Sequence, residues 1–130
     1  MDIKDLKPTD RTIEILHPGT GEELGITVTV LSINDPQMVK IKRRIQDERI
    51  RLESKGKNFK SDDIEENRNI IVLGAMKDWK WSGKANFNGQ KPEFNRKNVL
   101  EVFKELPWFR DQIEEEVSDE SAFFQTSKQG

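Results

Sequence analysis

Cysteine is absent from this sequence, which excludes disulfides and thiol catalysis and is compatible with a reducing compartment. No apolar run approaches the ~20 residues that a membrane span needs. The opening MDIKDLKPTD lacks the apolar stretch of a signal peptide. A soluble protein of the cytoplasm is the expectation. Apolar residues are scarce at 33%, so the core must be small. Such a chain suits helices with one apolar stripe, or a subunit that completes its burial in an oligomer. An excess of positive charge is lacking too: Lys+Arg is 22 against Asp+Glu 24, for a net charge of −2. A dedicated duplex-DNA binder is clearly basic, which counts against that class.

What is abundant is charge, at 35% against a typical ~25%. A chain of 130 residues is expected to form one domain, 1–130. It can bury roughly two thirds of its unfolded surface without covalent staples. Residues 1–10 read as a flexible arm. Segments 12–16 (TIEIL) and 24–31 (LGITVTVL) favour strands, with Ile26, Val28 and Val30 on one face and Thr27 and Thr29 on the other. The turn-rich HPGTGEE between them makes 11–33 a β-hairpin packed on one side.

The period then changes. Asp35-Pro36 is a cap followed by a first-turn proline. Met38, Ile41, Ile45 and Leu52 recur at helical spacing until Gly56. Ser61 caps a second helix, with Ile64, Arg68, Ile71 and Ala75 on one face and an end near Lys77. Residues 80–94 read as a loop with turns at Ser82-Gly83, Asn88-Gly89 and Lys91-Pro92. Asn95 caps a third helix carrying Val99, Val102, Phe103 and Leu106. Pro107 opens a fourth, with Phe109, Ile113 and Val117 stacked. Ser118 begins a short last helix with Ala122, Phe123 and Phe124. The fold class is therefore α+β and mostly helical: a hairpin, then four or five helices over 35–125. The alternative is an all-α domain with a disordered or extended N-terminus.

Signs of catalysis are thin. His17, the lone histidine, lies in the hairpin turn with no positioned partner indicated. There is no Gly-rich phosphate loop and no Cys/His cluster. Glu114-Glu115-Glu116 point about 100° apart on a helix and read as a solvated face rather than a metal site. No enzyme, metal or cofactor is expected. Two charge runs are more informative. Lys40, Lys42, Arg43 and Arg44 make one helix start basic, while Asp111, Glu114, Glu115, Glu116, Asp119 and Glu120 make 111–120 acidic. Each alone reads as solvated surface. Together they suit a head-to-tail contact between copies. The acidic end also opposes its helix dipole, which an external basic partner, or a new cap at Ser118, would relieve.

Trp79 and Trp81 fall at the end of the second helix. Two residues apart, they cannot share a helical face, so one is expected buried and one accessible. With Phe87, Trp108, Phe109, Phe123 and Phe124 they are candidate anchors for a protein surface. A rival use is a single-strand nucleic-acid platform built from Trp79, Lys80 and Trp81.

An ordered set of segments carries a resemblance. MDIKDLKP and HPGTGEELGITVTVLS precede NDPQMVKIKRR. KDWKW, KPEFNRKNVLEVFKELPWFRDQIEEEV and SDESAFF follow. The order spans nearly the whole chain and is similar to that of the tail assembly chaperones of lambda-like long-tailed bacteriophages and prophages. Such a resemblance implies a non-enzymatic, largely helical factor that forms rings or spirals. It implies binding to the tape measure protein, recruitment of the tail tube protein, and departure before the virion matures. It implies a frameshifted longer form as a further partner, this sequence being the short form. Neither nucleic acid nor membrane is an implied partner, and no interface residue carries over.

Overall fold

The computed structural model describes residues 2–6, 9–56, 61–119 and 122–123. A turn of 3-10 helix, Ile3–Asp5, precedes strands β1 (Arg11–Leu16) and β2 (Glu23–Val30). Helices α1 (Pro36–Ser54) and α2 (Ser61–Ala75) follow, then strand β3 (Met76–Trp81) and helices α3 (Arg96–Glu105) and α4 (Pro107–Ser118). The fold is α+β, with an N-terminal hairpin and then helices, and the all-α alternative is overturned. The sheet is antiparallel with order β1-β2-β3.

Strand β3 is the departure from the sequence reading. Residues 76–81 were expected to finish a helix and enter a loop. Alternation explains the difference: Met76, Trp79 and Trp81 turn inward, while Lys77, Asp78 and Lys80 are exposed. Trp79 and Trp81 keep the two-residue period of a half-buried strand, and the register shift between Thr29 and Val30 brings Met76, three positions earlier, onto the same face. Val28 pairs with Trp79 and Ile26 with Trp81, so the strand completes the apolar face of β2. Among the described residues of 35–125, the helices are interrupted by this strand and by the loop over 82–95.

Caps fall where expected. Asp35 accepts from the Gln37 N–H at 2.9 Å ahead of Pro36. Asn95 accepts from the Asn98 N–H at 2.8 Å. Ser61, expected as a cap, is instead the first residue of helix α2. Asn88 and Gly89 both have positive φ, 53° and 78°, which closes a tight turn between Phe87 and Gln90. The expected fifth helix is described only at Ala122 and Phe123, which have helical geometry.

Helix α4 touches the sheet through β1 and β2, and touches helices α2 and α3. Its Phe109, Ile113 and Val117 are buried, as are Val99, Val102 and Phe103 of α3. Gln112 seals the outer edge of β1: its side chain accepts from the Leu16 N–H at 2.9 Å and donates to the Leu16 carbonyl at 2.7 Å. The chain ends are tied together. Both the N–H and the hydroxyl of Thr9 donate to the Phe123 carbonyl, at 3.1 and 3.0 Å. Lys77 pairs with Asp10 at 2.7 Å. The last residues of the expected flexible arm are thus anchored.

Gly25 of β2 lies against the backbone of Ser82, just past the end of β3. Its φ is +82°, and a Cβ built there would lie 2.8 Å from the Ser82 carbonyl oxygen. Ser82 also donates its N–H and its hydroxyl to the Gly25 carbonyl. Gly25→Ala is expected to destabilise by at least about 1–2 kcal/mol, the ordinary cost of a side chain in left-handed backbone. Urea unfolding checks this; an unchanged midpoint would mean that the strand junction relaxes freely.

Candidate functional site

The two charged stretches meet different fates. On α1, Lys40, Lys42, Arg43 and Arg44 are exposed and make no ion pair with any described residue. The acidic stretch is largely engaged within the chain. Arg68 of α2 binds Glu114 at 2.7 Å and Asp111 at 3.3 Å. Arg11 of β1 binds the Glu116 carboxylate at 2.9 Å and reaches its main-chain carbonyl at 3.5 Å. Arg110, only 3% exposed, binds Glu65, Asp111 and Asn69. Burial opposes its charge, but the hydrogen bonds it donates to Asp111 and Glu65 outweigh that and raise its pKa above the ordinary arginine value. The hydrogen bond to Glu114 likewise raises that of Arg68. The dipole conflict at the end of α4 is thus relieved from inside, by Arg68 and Arg11, and needs no external cation. Of the three glutamates, Glu115 alone makes no ion pair with a described residue. A charge contact with α1 of another copy therefore has few free carboxylates to use.

The aromatic candidates divide in the same way. Trp79, Phe109 and Phe123 are core side chains, 5%, 0% and 0% exposed, and cannot anchor a partner. Phe123 lies beneath the Arg11 guanidinium, 5.2 Å from its ring centroid. Phe124 lies outside the described residues. Trp81, Phe87 and Trp108 are half-buried against the core. The two tryptophans were expected on opposite sides of the boundary with solvent. A strand puts positions two apart on one face, so both pack inward, their rings edge to face at 5.5 Å. Lys80 points to the opposite face. Trp79, Lys80 and Trp81 therefore do not form one stacking platform.

His17 has a local structural role: its Nδ1 accepts from the N–H groups of Gly19 and Thr20, at 2.9 and 3.1 Å. Among the described residues no group of three or more His, Cys, Asp or Glu is arranged to hold a metal ion. No helix among them is long and apolar enough to cross a membrane.

Beyond the exposed Ile3 and Leu6 near the N-terminus, an open apolar surface lies on the α1–α2 hairpin. Helix α1 has 19 residues, yet only Met38 is buried. It packs chiefly against α2, where Gly74 admits the Ile41 side chain to within 2.5 Å of a would-be Cβ. Further along, the two helices border a groove of about 540 Å³ floored by Ile45, Ile50, Ile64 and Ile71. Lys42, Arg49, Glu53 and Arg68 form its rim. Ile50 is 57% exposed and Ile64 51%. The sequence reading passed over Ile50 and Val39. Their signal was present, since both lie about 100–120° from Met38 around the helix, off the inward stripe.

A second cleft, about 390 Å³, is lined by Leu24, Trp81, Lys84, Leu106 and Trp108. The Trp81 indole N–H is buried beside it with no hydrogen-bond partner among the described residues. The Trp79 indole donates to the Pro92 carbonyl at 3.0 Å. Replacing either tryptophan by Phe removes similar volume, but only Trp79→Phe orphans an acceptor and loses a made bond. Trp79→Phe is therefore expected to cost about 1 kcal/mol more than Trp81→Phe in chemical denaturation. Equal losses would mean that the hydrogen bond to Pro92 contributes nothing net.

Matched against protein-family models, curated proteins and solved structures, the chain finds no match in any of the three.

Proposed function

We propose that the protein is a non-enzymatic tail assembly chaperone of a lambda-like long-tailed phage or prophage. It self-associates, holds the tape measure protein in the host cytoplasm, and yields it to tail tube subunits without entering the mature virion. A frameshifted longer form of the same chain is a further partner. The ordered segments from NDPQMVKIKRR to SDESAFF support this reading at the level of sequence.

The observation that carries it in the structure is the α1–α2 hairpin, which leaves Ile50 and Ile64 half uncovered between charged rims. A tape measure chaperone has to cover apolar stripes on a long helical client and then release them. Half-exposed isoleucines ringed by solvated charges give contacts of moderate strength, because the polar rim must be desolvated as the apolar floor is covered. The nucleic-acid alternative has no comparable support, since its two tryptophans are packed against Phe109.

Members of this chaperone family are encoded just before the tape measure protein, so co-expression with the protein encoded next downstream tests the reading. The expected result is co-purification of the pair, and a downstream protein that stays soluble only when both are made. Light scattering across a concentration series tests self-association. A strict monomer at high concentration in low salt, together with no co-purification, would sink the proposal.

A further inference from the structure

We propose that the α1–α2 groove is a docking site for an amphipathic helix of another protein, one whose flanks are acidic. This rests on the assembly reading, because it names the chemistry of the surface that such a client would present.

Shape argues for a helix. Lys42 and Glu53 bracket the groove on α1, and eleven residues of helix span about 16 Å, or three turns. Both walls are helices whose main-chain groups are spent on their own ladders. An extended peptide would find no strand edge to pair with, whereas a third helix can lay its ridges into the channel. Over three turns it would offer apolar side chains at i, i+3 or i+4, and i+7 to meet Ile45, Ile50, Ile64 and Ile71.

Charge argues for its flanks. Glu53, the acidic rim residue, is held by Arg49 at 3.2 Å. Lys42 on the rim is exposed and forms no ion pair with any described residue, and Arg43, next in sequence, is likewise exposed and unpaired among them on the adjoining face of α1. The uncompensated charge at the groove is positive, so glutamates or aspartates on the incoming helix find partners and lysines meet repulsion. A second copy is a poor occupant. Laid parallel, its own α1 would bring a second exposed Lys42 against this one. The acidic residues of its α4 are mostly committed to Arg68, Arg11 and Arg110.

The probe is a synthetic helical peptide with leucines at the i, i+3/i+4, i+7 positions and glutamates on both flanks. The control is the same peptide with lysines for glutamates. Binding is measured by fluorescence anisotropy on the full chain. The acidic peptide is expected to bind, the lysine peptide to bind at least about tenfold more weakly, and the difference to shrink as salt rises. Ile50→Asp changes an exposed side chain, so its melting curve should match the parent while peptide binding is lost. Lys42→Glu with Arg43→Glu should erase the preference for the acidic peptide. Equal binding of both peptides, or acidic-peptide binding untouched by Ile50→Asp, would overturn the proposal. So would a self-oligomer that Ile50→Asp dissociates, since a second copy would then fill the groove. If the downstream protein co-purifies equally well with Ile50→Asp, the assembly reading stands and this groove is not its site. If the peptide binds as expected while co-purification fails and the chain stays a strict monomer, the groove stands and the assembly reading falls.

Discussion

Phe109 is the contact on which the rest of the molecule depends. It is fully buried on α4, and four aromatic rings close around it at centroid distances of 5.9–6.3 Å: Trp79, Trp81, Phe103 and Trp108. Two of these rings come from β3, one from α3 and one from α4 itself. The cluster therefore joins the third strand to the helical layer at one point. Trp81 lies almost parallel to it, at 15°, while Trp79 meets it edge on. Both arrangements are favourable for ring quadrupoles. With only 33% of the chain apolar, concentrating large rings at the sheet–helix junction is how a small core becomes sufficient.

The charges follow the same economy. Helix α4 carries carboxylates toward its C-terminal end, where its dipole disfavours them. Arg68 from α2 and Arg11 from β1 converge on that end, so the acidic turns become a means of holding three elements together. Exposed ion pairs contribute little singly. Here Arg68 serves Glu65, Glu114 and Asp111, while the buried Arg110 binds Glu65 and Asp111, which makes a shared network rather than isolated pairs. The basic start of α1 has no such counterpart among the described residues. One of the two opposed charge runs is thus structural, and the other remains available at the surface.

This asymmetry bears on function. The body of the domain is closed by the aromatic cluster and the arginine network, and its chain ends are tied at Thr9 and Phe123. The α1–α2 hairpin is closed only near its base, around Met38, Ile41 and Gly74. Its outer part keeps apolar side chains half uncovered beside free cations. A rigid body carrying an under-buried helical hairpin can make contacts to a helical partner without rearranging its own core.

The sequence by itself determined the hairpin, its inward face of Ile26, Val28 and Val30, the caps at Asp35 and Asn95, and the stripes of α3 and α4. Those features follow from local period and local hydrogen bonding, which a single segment contains. Tertiary structure decided the rest. MKDWKW is too short for its period to declare itself beside the apolar run Ile70–Leu73, and it becomes a strand because β2 offers an edge with Val28 and Ile26 waiting for aromatic partners. Glu114 and Glu116 read as solvated because their arginines lie 46 and 105 residues away in sequence. Phe109 and Phe123 could equally have been surface anchors until the sheet closed over one and Arg11 over the other. Ile50 and Ile64 could have been core. The packing of α1 chiefly against α2 left them uncovered, because burial is a property of what surrounds a side chain and not of the side chain.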